Sequence, residues 1–441
     1  MPMFEQLTIQ TYVKGRWYDA LVLTDENPAD VENSLCWVTY VDDYLAQFIN
    51  QRDSLLETSV SVNLELNWAL RRSTGYPAFI LDIIPAGAAR RGLKKCFEKA
   101  KPLGTELDFL LLQRHTPAPI GHMRVKESLE GLDRRGGVAF PRREIIQRSE
   151  RFLEYAAEAG AAISAGTGAQ GEAPKLLVSE DPTGGLHLDA LLPDDQVRRH
   201  WLVKFSRNDV SERDKNILRA EYHYYRAIAT LGLNTVSTDG LALEDAESPS
   251  LWMPRFDRKV LADGRIERLA IESIYSVCGN SIPGSYMRHE DVLRRLLLLW
   301  RENQQGDEME ELACEYLRRD LLNRILGNSD NHGRNTSILR HDGRLQLAPI
   351  YDLAPMVLDS EGITRTTKWA RERMGAPDWS AACAALGEIL NPERLFARLR
   401  AAAQEFRALP ELLKGVPDEV RRSPSIPLSN LDACLKEWGL L

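Results

Sequence analysis

The chain has 441 residues, of which 44% are hydrophobic and 27% are charged. That balance is typical of an ordinary globular protein, and the length predicts two or three domains or lobes. The net charge of −8 argues against non-specific binding of nucleic acid by the whole surface, and no apolar run approaches the roughly 20 residues that span a membrane.

The compartment is predicted from the start of the chain and from its cysteines. No basic segment followed by an apolar one is present at the start, so no secretory signal is predicted. The six cysteines lie far apart and form no C-x-x-C pair. Such cysteines are typical of a reduced protein, and we expect the chain to be cytoplasmic, without a membrane partner.

The first 140 residues form a mixed region without an obvious helix-turn-helix. The most basic stretch runs from Arg90 to Lys101. It is either a solvated helix face or a phosphate-binding patch. Direct nucleic-acid binding by the chain alone is therefore not expected.

A glycine-rich segment, residues 164–175, precedes an apolar strand at residues 176–178. Glycine lets the chain approach a ligand closely, so such a turn can place backbone N–H groups against phosphates. The segment lacks the G-K-[ST] of a P-loop, and no helix opens directly after it. A flexible loop is the alternative.

A lysine and a glutamate follow in the order typical of protein kinases. Lys204 lies in the apolar strand 200–205, and Glu221 lies on the predicted helix 216–225. A charge inside a buried strand needs a partner, and kinases pair such a lysine with a helix glutamate. For Lys204 alone, a strand-end lysine whose ammonium reaches solvent is the alternative.

From about residue 268 the sequence becomes mostly helical. Residues 291–300 predict a strongly amphipathic helix. A second buried helix face leads into a polar loop, and Gly327 is suited to that helix's C-terminus. Its apolar residues are Leu317, Leu321, Leu322, Ile325 and Leu326.

The polar loop, residues 328–335, places Asp330 and Asn335 at D-x-x-x-x-N spacing, and Asp352 follows seventeen residues later. Kinases use an Asp for the acceptor hydroxyl, an Asn for one metal ion and a later Asp for the other. The spacing alone is common by chance. The alternative is a polar connection in which Asp330 and Asn335 cap and turn the backbone.

The residues between the loop and Asp352 predict a hairpin. Residues 336–339 and 345–350 are strand-like, Asp342-Gly343 is a favoured hairpin turn, and Pro349 limits pairing. A hairpin of this size returns Asp352 to the neighbourhood of Asn335. Oxygen ligands that converge in this way suit Mg²⁺.

Several motifs together resemble the HipA family of serine/threonine kinases, the toxins of bacterial type II toxin–antitoxin pairs. The resemblance rests on Asn328–Asn335, Tyr351–Pro355, Arg255–Arg258 and Gly168–Gln170. It implies an α+β, bilobal protein-kinase-like fold with a mixed β-rich N-terminal lobe and a mainly helical C-terminal lobe. The corresponding segments are 1–140 (N-terminal subdomain), 141–260 (ATP-binding lobe) and 261–441 (helical lobe).

The resemblance also implies the roles of site residues. Asp330 is the expected catalytic aspartate, and Asn335 and Asp352 are the expected Mg²⁺ ligands. The expected ATP-binding residues are Thr167, Gly168, Ala169, Gln170, Gly171, Glu172, Lys204, Glu221, Pro254, Arg255, Phe256, His332, Gly333, Arg334 and Tyr351.

Some positions depart from the family pattern. Ala165 stands where the family has an autophosphorylated serine, so only Ser164 or Thr167 could replace it. Pro254 has no N–H for adenine. For His332 the alternative is a metal ligand, although no second His or Cys lies at ligand spacing.

The function implied is an ATP- and Mg²⁺-dependent kinase that phosphorylates a bacterial protein and restrains growth. In this family the substrates include an aminoacyl-tRNA synthetase, which no residue here identifies, and the implied partner is a DNA-binding antitoxin of the HipB type. Two alternatives stay open: a small-molecule kinase on the same scaffold, and a nucleotide-binding pseudokinase that acts through an antitoxin.

Overall fold

A computed structural model describes residues 5–27, 33–51, 55–100, 107–130, 132, 137–149, 151–152, 155, 174–207, 211–373 and 375–441. These residues form a mixture of helices and strands, which confirms the predicted α+β class. The chain divides into two compact units built from discontinuous stretches. The strand-rich unit comprises residues 1–207, 239–281 and 338–346, and the helical unit comprises 208–238, 282–337 and 347–441.

The strands are numbered in chain order. They are β1 (Glu5–Val13), β2 (Arg16–Asp25), β3 (Leu35–Tyr40), β4 (Arg71–Thr74), β5 (Met123–Val125), β6 (Lys175–Glu180), β7 (Leu186–Leu188), β8 (Arg199–Phe205), β9 (Ala242–Glu244), β10 (Ser250–Pro254), β11 (Arg258–Val260), β12 (Ile266–Arg268), β13 (Ala270–Ser273), β14 (Met287–Arg288), β15 (Ser337–His341), β16 (Arg344–Leu347), β17 (Thr367–Lys368), β18 (Glu372–Arg373) and β19 (Ala376–Pro377).

The α-helices are numbered in the same way. They are α1 (Asp42–Phe48), α2 (Gly87–Ala100), α3 (Leu107–Arg114), α4 (Arg142–Ile146), α5 (Glu212–Thr230), α6 (Ile274–Val277), α7 (His289–Glu302), α8 (Met309–Ile325), α9 (Trp379–Ala384), α10 (Pro392–Phe406), α11 (Leu409–Leu412), α12 (Asp418–Arg421) and α13 (Leu431–Glu437). The predicted helices that contain residues 216–225 and 291–300 are therefore present as α5 and α7.

Two five-stranded sheets form the body of the strand-rich unit. Their strand orders are β4-β3-β2-β1-β5 and β7-β6-β8-β10-β9, and neighbouring strands run antiparallel. Trp201, Val203 and Phe205 of β8 all face one apolar core of the second sheet. Because side chains alternate along a strand, Lys204 points to the opposite face.

The predicted hairpin is present as β15 and β16, and its turn residues Asp342 and Gly343 have φ values of +50° and +70°. Positive φ at both positions is the signature of the type I′ turn that Asp-Gly favours. Arg340 on β15 is fully buried. Its guanidinium donates to the carbonyl oxygens of Leu56 and Ser59 at 2.9 and 3.0 Å and lies 3.5 Å from the Glu272 carboxylate.

Helix α8 lies at the centre of the helical unit and packs against α7 and α10. It ends in a Schellman motif: Gly327 has a φ of +70°, its N–H donates to Arg324 O at 3.4 Å, and the N–H of Asn328 donates to Asn323 O at 2.8 Å. The prediction that Gly327 suits this helix end is confirmed. The motif fixes the point at which the polar loop begins.

Within the ranges given above, no helix is long and apolar enough to cross a membrane. The division of the sequence into segments 1–140, 141–260 and 261–441 stays a prediction, since the two units interleave along the chain.

Candidate active site

The loop of residues 328–335 is organised by its own side chains. Oδ1 of Asn328 accepts the N–H of Asp330 at 3.2 Å, and Nδ2 of Asn335 donates to Asp330 O at 2.5 Å. The N–H of Asn335 donates to His332 O at 2.9 Å. These bonds cap and turn the backbone, as expected for a polar connection between a helix and a strand. They use neither the Asp330 carboxylate nor Oδ1 of Asn335, so both groups remain available to bind a substrate or a metal ion.

Asp330 faces an imidazole. Nε2 of His332 lies 3.5 Å from Oδ1 of Asp330, and Nδ1 of the same ring accepts the N–H of Arg334 at 3.2 Å. A nitrogen that accepts carries no proton, so the geometry assigns the hydrogen of a neutral His332 to Nε2, on the side of the carboxylate. The side chains of Asp330 and His332 are 24% and 22% exposed, which leaves both accessible to a substrate.

The hairpin returns the chain to this loop. The hydroxyl of Tyr351 donates to Arg334 O at 2.6 Å and lies 2.7 Å from Oγ of Ser337. Nδ2 of Asn328 donates to the carbonyl oxygen of Asp352 at 3.3 Å. Asp352 has a φ of +51°, a backbone conformation that non-glycine residues rarely adopt and that is enriched at functional sites.

A buried chain of hydrogen bonds joins α5 to Leu353, the residue that follows Asp352. Helix α5 starts with a capping box formed by Ser211 and Asp214. Further along the helix, Tyr225 donates to the Glu221 carboxylate at 2.7 Å and accepts the N–H of Leu353 at 3.4 Å. Glu221, the predicted partner of a lysine, therefore contacts the segment that carries Asp352 through Tyr225.

Burial raises the pKa of Tyr225 well above its ordinary value, and the nearby charges of Glu221 and Asp352 raise it further. The phenol therefore stays protonated and acts as the donor to Glu221.

The donor set of this loop suits a hard cation. Mg²⁺ takes few protein ligands, usually one or two carboxylates, and completes its shell with phosphate oxygens and water. Oδ1 of Asn335 and the carboxylate of Asp352 are ligands of that kind. In the described part of the chain, no group of three or more His, Cys, Asp or Glu side chains is placed to hold a metal ion.

The strand-rich unit carries Lys204 on β8, where it is 7% exposed. The strand register places Lys175 of β6 and Leu251 of β10 directly opposite. Side chains opposite one another lie on the same face, so Lys175 is a second basic residue beside Lys204. From the sequence, Lys175 corresponds to the family's glycine-loop lysine in a displaced position, and its place opposite Lys204 could not be predicted because strand register depends on pairing between distant segments. Lys204 and Glu221 belong to different units, and their pairing stays a prediction.

Arg255, one of the three hinge residues, is held by the protein itself. Its guanidinium donates to Asp189 at 2.8 Å and to Asp257 at 2.9 and 2.6 Å, and its backbone N–H donates to His200 O at 3.0 Å. Burial alone would raise the pKa of Asp257, but Arg255 and Arg258 outweigh burial and hold that pKa well below its usual range. The guanidinium and the backbone N–H of Arg255 are therefore engaged by the protein, and contact of residues 254–256 with a nucleotide stays a prediction.

The glycine-rich loop residues Thr167 to Glu172, together with Ser164 and Ala165, lie outside the described residues. Their predicted roles stay predictions.

The fold resembles that of HipA from Shewanella oneidensis, solved with HipB and its operator DNA, with a TM-score of 0.61. The two chains are 18% identical, and the similarity covers 98% of this chain and 96% of the other. A match to the proinflammatory kinase CtkA of Helicobacter pylori, 14% identical over 55% of this chain and 84% of that one, has a TM-score of 0.31 and carries no argument. The protein has the predicted α+β, protein-kinase-like fold of HipA.

The sequence profile of the HipA-like C-terminal domain family matches residues 167–409, more than half of the chain. The chain belongs to that family. It is also 27% identical over 225 residues to Toxin YjjJ of Escherichia coli (strain K12). That match covers 50% of this chain and 45% of the E. coli protein, so it spans less than half of that relative.

Proposed function

We propose that the protein is an ATP- and Mg²⁺-dependent serine/threonine protein kinase. The observation that carries the proposal is the convergence, in the helical unit, of the Asp330–Asn335 loop with the segment bearing Asp352. An accessible carboxylate on a rigid loop beside two oxygen ligands is the minimum that phosphoryl transfer needs, because catalysis comes mainly from positioning and charge neutralisation.

Each residue has a definite task in this proposal. Asp330 accepts the proton of the acceptor hydroxyl while that oxygen bonds to the γ-phosphorus and the bond to the leaving ADP oxygen breaks. Asn335 and Asp352 hold Mg²⁺, which neutralises charge on the phosphate oxygens when it is bound. Lys204 and the loop of residues 167–172 contact the phosphates, and His332 orients the Asp330 carboxylate.

The biological role follows from the relatives. One relative is named a toxin, and the structural neighbour was solved with HipB and operator DNA. We extend both to this chain: a toxin that restrains growth by phosphorylating a bacterial protein, such as an aminoacyl-tRNA synthetase, and that is held by a DNA-binding antitoxin. A cytoplasmic location fits the five described cysteines, which are all free thiols.

The proposal predicts that Asp330→Asn and Asp352→Asn each lower phosphate transfer from ATP by about 100-fold or more while unfolding at the same urea concentration as wild type. The measurement is transfer of labelled phosphate with Mg²⁺ to the protein itself and to proteins of a lysate. Asp342→Asn is the matched control, because Asp342 lies at the exposed hairpin turn and Asn tolerates its positive φ.

Wild-type protein that labels no protein would contradict the proposal. Labelling of a metabolite pool instead would identify a small-molecule kinase. Nucleotide binding that is indifferent to Asp330→Asn and Asp352→Asn, without transfer, would identify a pseudokinase.

A further inference from the structure

A buried carboxylate lies directly behind the catalytic loop. Asp320, on α8, is 2% exposed. Its Oδ1 accepts Nδ2 of Asn331 at 2.8 Å, and its Oδ2 accepts Nε1 of Trp369 at 2.7 Å. The two donors belong to segments far apart in sequence, so a single carboxylate joins them.

The surroundings of Asp320 make both hydrogen bonds costly to lose. In the region that the structure describes, no lysine or arginine forms an ion pair with it, and Nε2 of His289 lies 3.5 Å from Oδ1. Burial lowers the pKa of His289, so the imidazole is neutral at physiological pH and supplies no full charge. A buried carboxylate that forms no ion pair with a lysine or arginine depends strongly on its hydrogen-bond donors, and each bond to a charged group contributes more than a neutral one.

One donor of this bridge, Asn331, belongs to the loop of the candidate active site. Asn331 follows Asp330 in the loop, and its carbonyl oxygen accepts the N–H of Thr367 at 3.2 Å. Asn331 is thus tied to the segment of residues 365–373 twice, through its backbone and through Asp320. Within this segment, the backbone N–H of Trp369 donates to the carboxylate of Glu372 at 3.0 Å.

The indole of Trp369 is also fixed in orientation. Its ring stacks on His289, with centroids 4.9 Å apart and planes 24° apart, and Nδ1 of His289 lies 2.8 Å from the hydroxyl of Tyr316. Nε1 of Trp369 therefore has one direction available, toward Asp320. The arrangement leaves little freedom for Asn331 while the bridge is intact.

We propose that Asp320 and Trp369 are positioning residues that set the orientation of Asp330 through Asn331 and couple the catalytic loop to the segment of residues 365–373. The proposal rests on the proposed kinase function for its effect on rate. The bridge itself is a property of the helical unit that can be measured without activity.

The first test compares two tryptophans. Trp369→Phe removes one indole N–H but keeps a ring that can stack on His289. Trp379→Phe is the matched control: Trp379 is fully buried and its ring packs edge-on against Trp369, so the variant changes packing beside the bridge, but its Nε1 has no hydrogen-bond partner among the described residues. We expect Trp369→Phe to lower kcat about tenfold with KM for ATP changed less than about twofold, and Trp379→Phe to leave both unchanged.

The second test is an exchange of donor and acceptor. Asp320→Asn removes the negative charge, so the charge-assisted hydrogen bond between residues 320 and 331 is lost even if the Asn331 amide turns over to offer its oxygen, and kcat should fall. In the double variant Asp320→Asn/Asn331→Asp, the amide at 320 can donate to the new carboxylate and still accept from Trp369. We expect the double variant to recover most of the loss in kcat seen in Asp320→Asn, which simple destabilisation of the fold would not produce.

The third measurement is amide hydrogen exchange of residues 328–336 in the full chain. It should quicken in Trp369→Phe and stay at the wild-type rate in Trp379→Phe. If wild type transfers no phosphate, the kinase proposal fails, and exchange alone still decides the bridge. Equal effects of the two tryptophan variants on exchange, or a double variant no better than Asp320→Asn, would overturn the positioning role.

Discussion

At the scale of single residues, Tyr225 shows how a hydroxyl can hold a charged group inside a protein. It is fully buried, and it donates to Glu221, which is 1% exposed. A buried carboxylate needs hydrogen-bond donors, and the phenol of Tyr225 stabilises the fold as one donor to Glu221. The same hydroxyl accepts the backbone N–H of Leu353, so Tyr225 also contacts the segment that carries Asp352.

Tyr225→Phe should therefore lower the free energy of unfolding by about 2 kcal/mol, because it leaves Glu221 without this donor. Tyr224→Phe is the matched control: Tyr224 is equally buried, but its hydroxyl donates to the neutral carbonyl of Leu326 at 3.2 Å. Tyr224→Phe should therefore lower the free energy of unfolding by about 1 kcal/mol or less. Urea unfolding of both variants decides the point, and equal losses would argue against a special role for Tyr225.

At the scale of elements, the end of α8 determines where the loop of residues 328–335 starts. Gly327 combines a φ of +70° with close packing, since an added Cβ would lie 2.9 Å from Ile426 and 3.0 Å from Val357. A side chain here would meet both a backbone penalty and steric overlap. The helix end and the loop are consequently one structural feature.

Gly327→Ala should destabilise the protein by about 2 kcal/mol and reduce phosphate transfer, because Asn328 can no longer keep its position at the start of the loop. Gly306→Ala is the control: that glycine precedes α8, has no positive φ and has no atom within 4 Å of an added Cβ. It should change stability by less than about 0.5 kcal/mol. Thermal unfolding and a transfer assay measure both effects, and a harmless Gly327→Ala would contradict the proposed link.

The elements that sequence predicted well are those coded by neighbouring residues. The helix around Glu221, the Gly327 terminus and the Asp342-Gly343 turn depend on periodicity and on local backbone preference, and the structure confirms them. The bridge from Asn331 through Asp320 to Trp369 was missed, because its members are held together by tertiary packing. The engagement of Arg255 by Asp189 was missed for the same reason.

At the scale of the whole molecule, buried histidines predict acid sensitivity. Burial lowers the pKa of five of them, to about 4 for His115 and about 3 for His122. The full set is His115, His122, His200, His223 and His289. Because the pKa of each is lower in the folded protein than in the unfolded chain, the unfolded chain binds these protons more readily below about pH 6.5, and protonation favours unfolding.

The free energy of unfolding should therefore fall as the pH decreases from about 6.5 toward 3, and His122 alone should account for a loss of about 2 kcal/mol at pH 5. Above about pH 4.5, the change in the free energy of unfolding with pH comes from the histidines. Asp257 has a lowered pKa in the folded protein, so its contribution to stability is lost only below about pH 4. His122→Gln should flatten the decline measured by urea unfolding. Stability that is constant from pH 7 to 4.5 would contradict this prediction.

The hairpin of β15 and β16 has a consequence for biosynthesis. It belongs to the strand-rich unit, yet the chain enters it from the helical unit and returns there afterwards. Until a ribosome has added Arg340, Glu272 lies in an unfinished core without that guanidinium, and the carbonyls of Leu56 and Ser59 lack two donors. The strand-rich unit is therefore completed late in translation, after the Asp330 loop has been made and shortly before Asp352 is added. A nascent chain therefore lacks one of the two residues that we propose as Mg²⁺ ligands until most of the 441 residues have been synthesised.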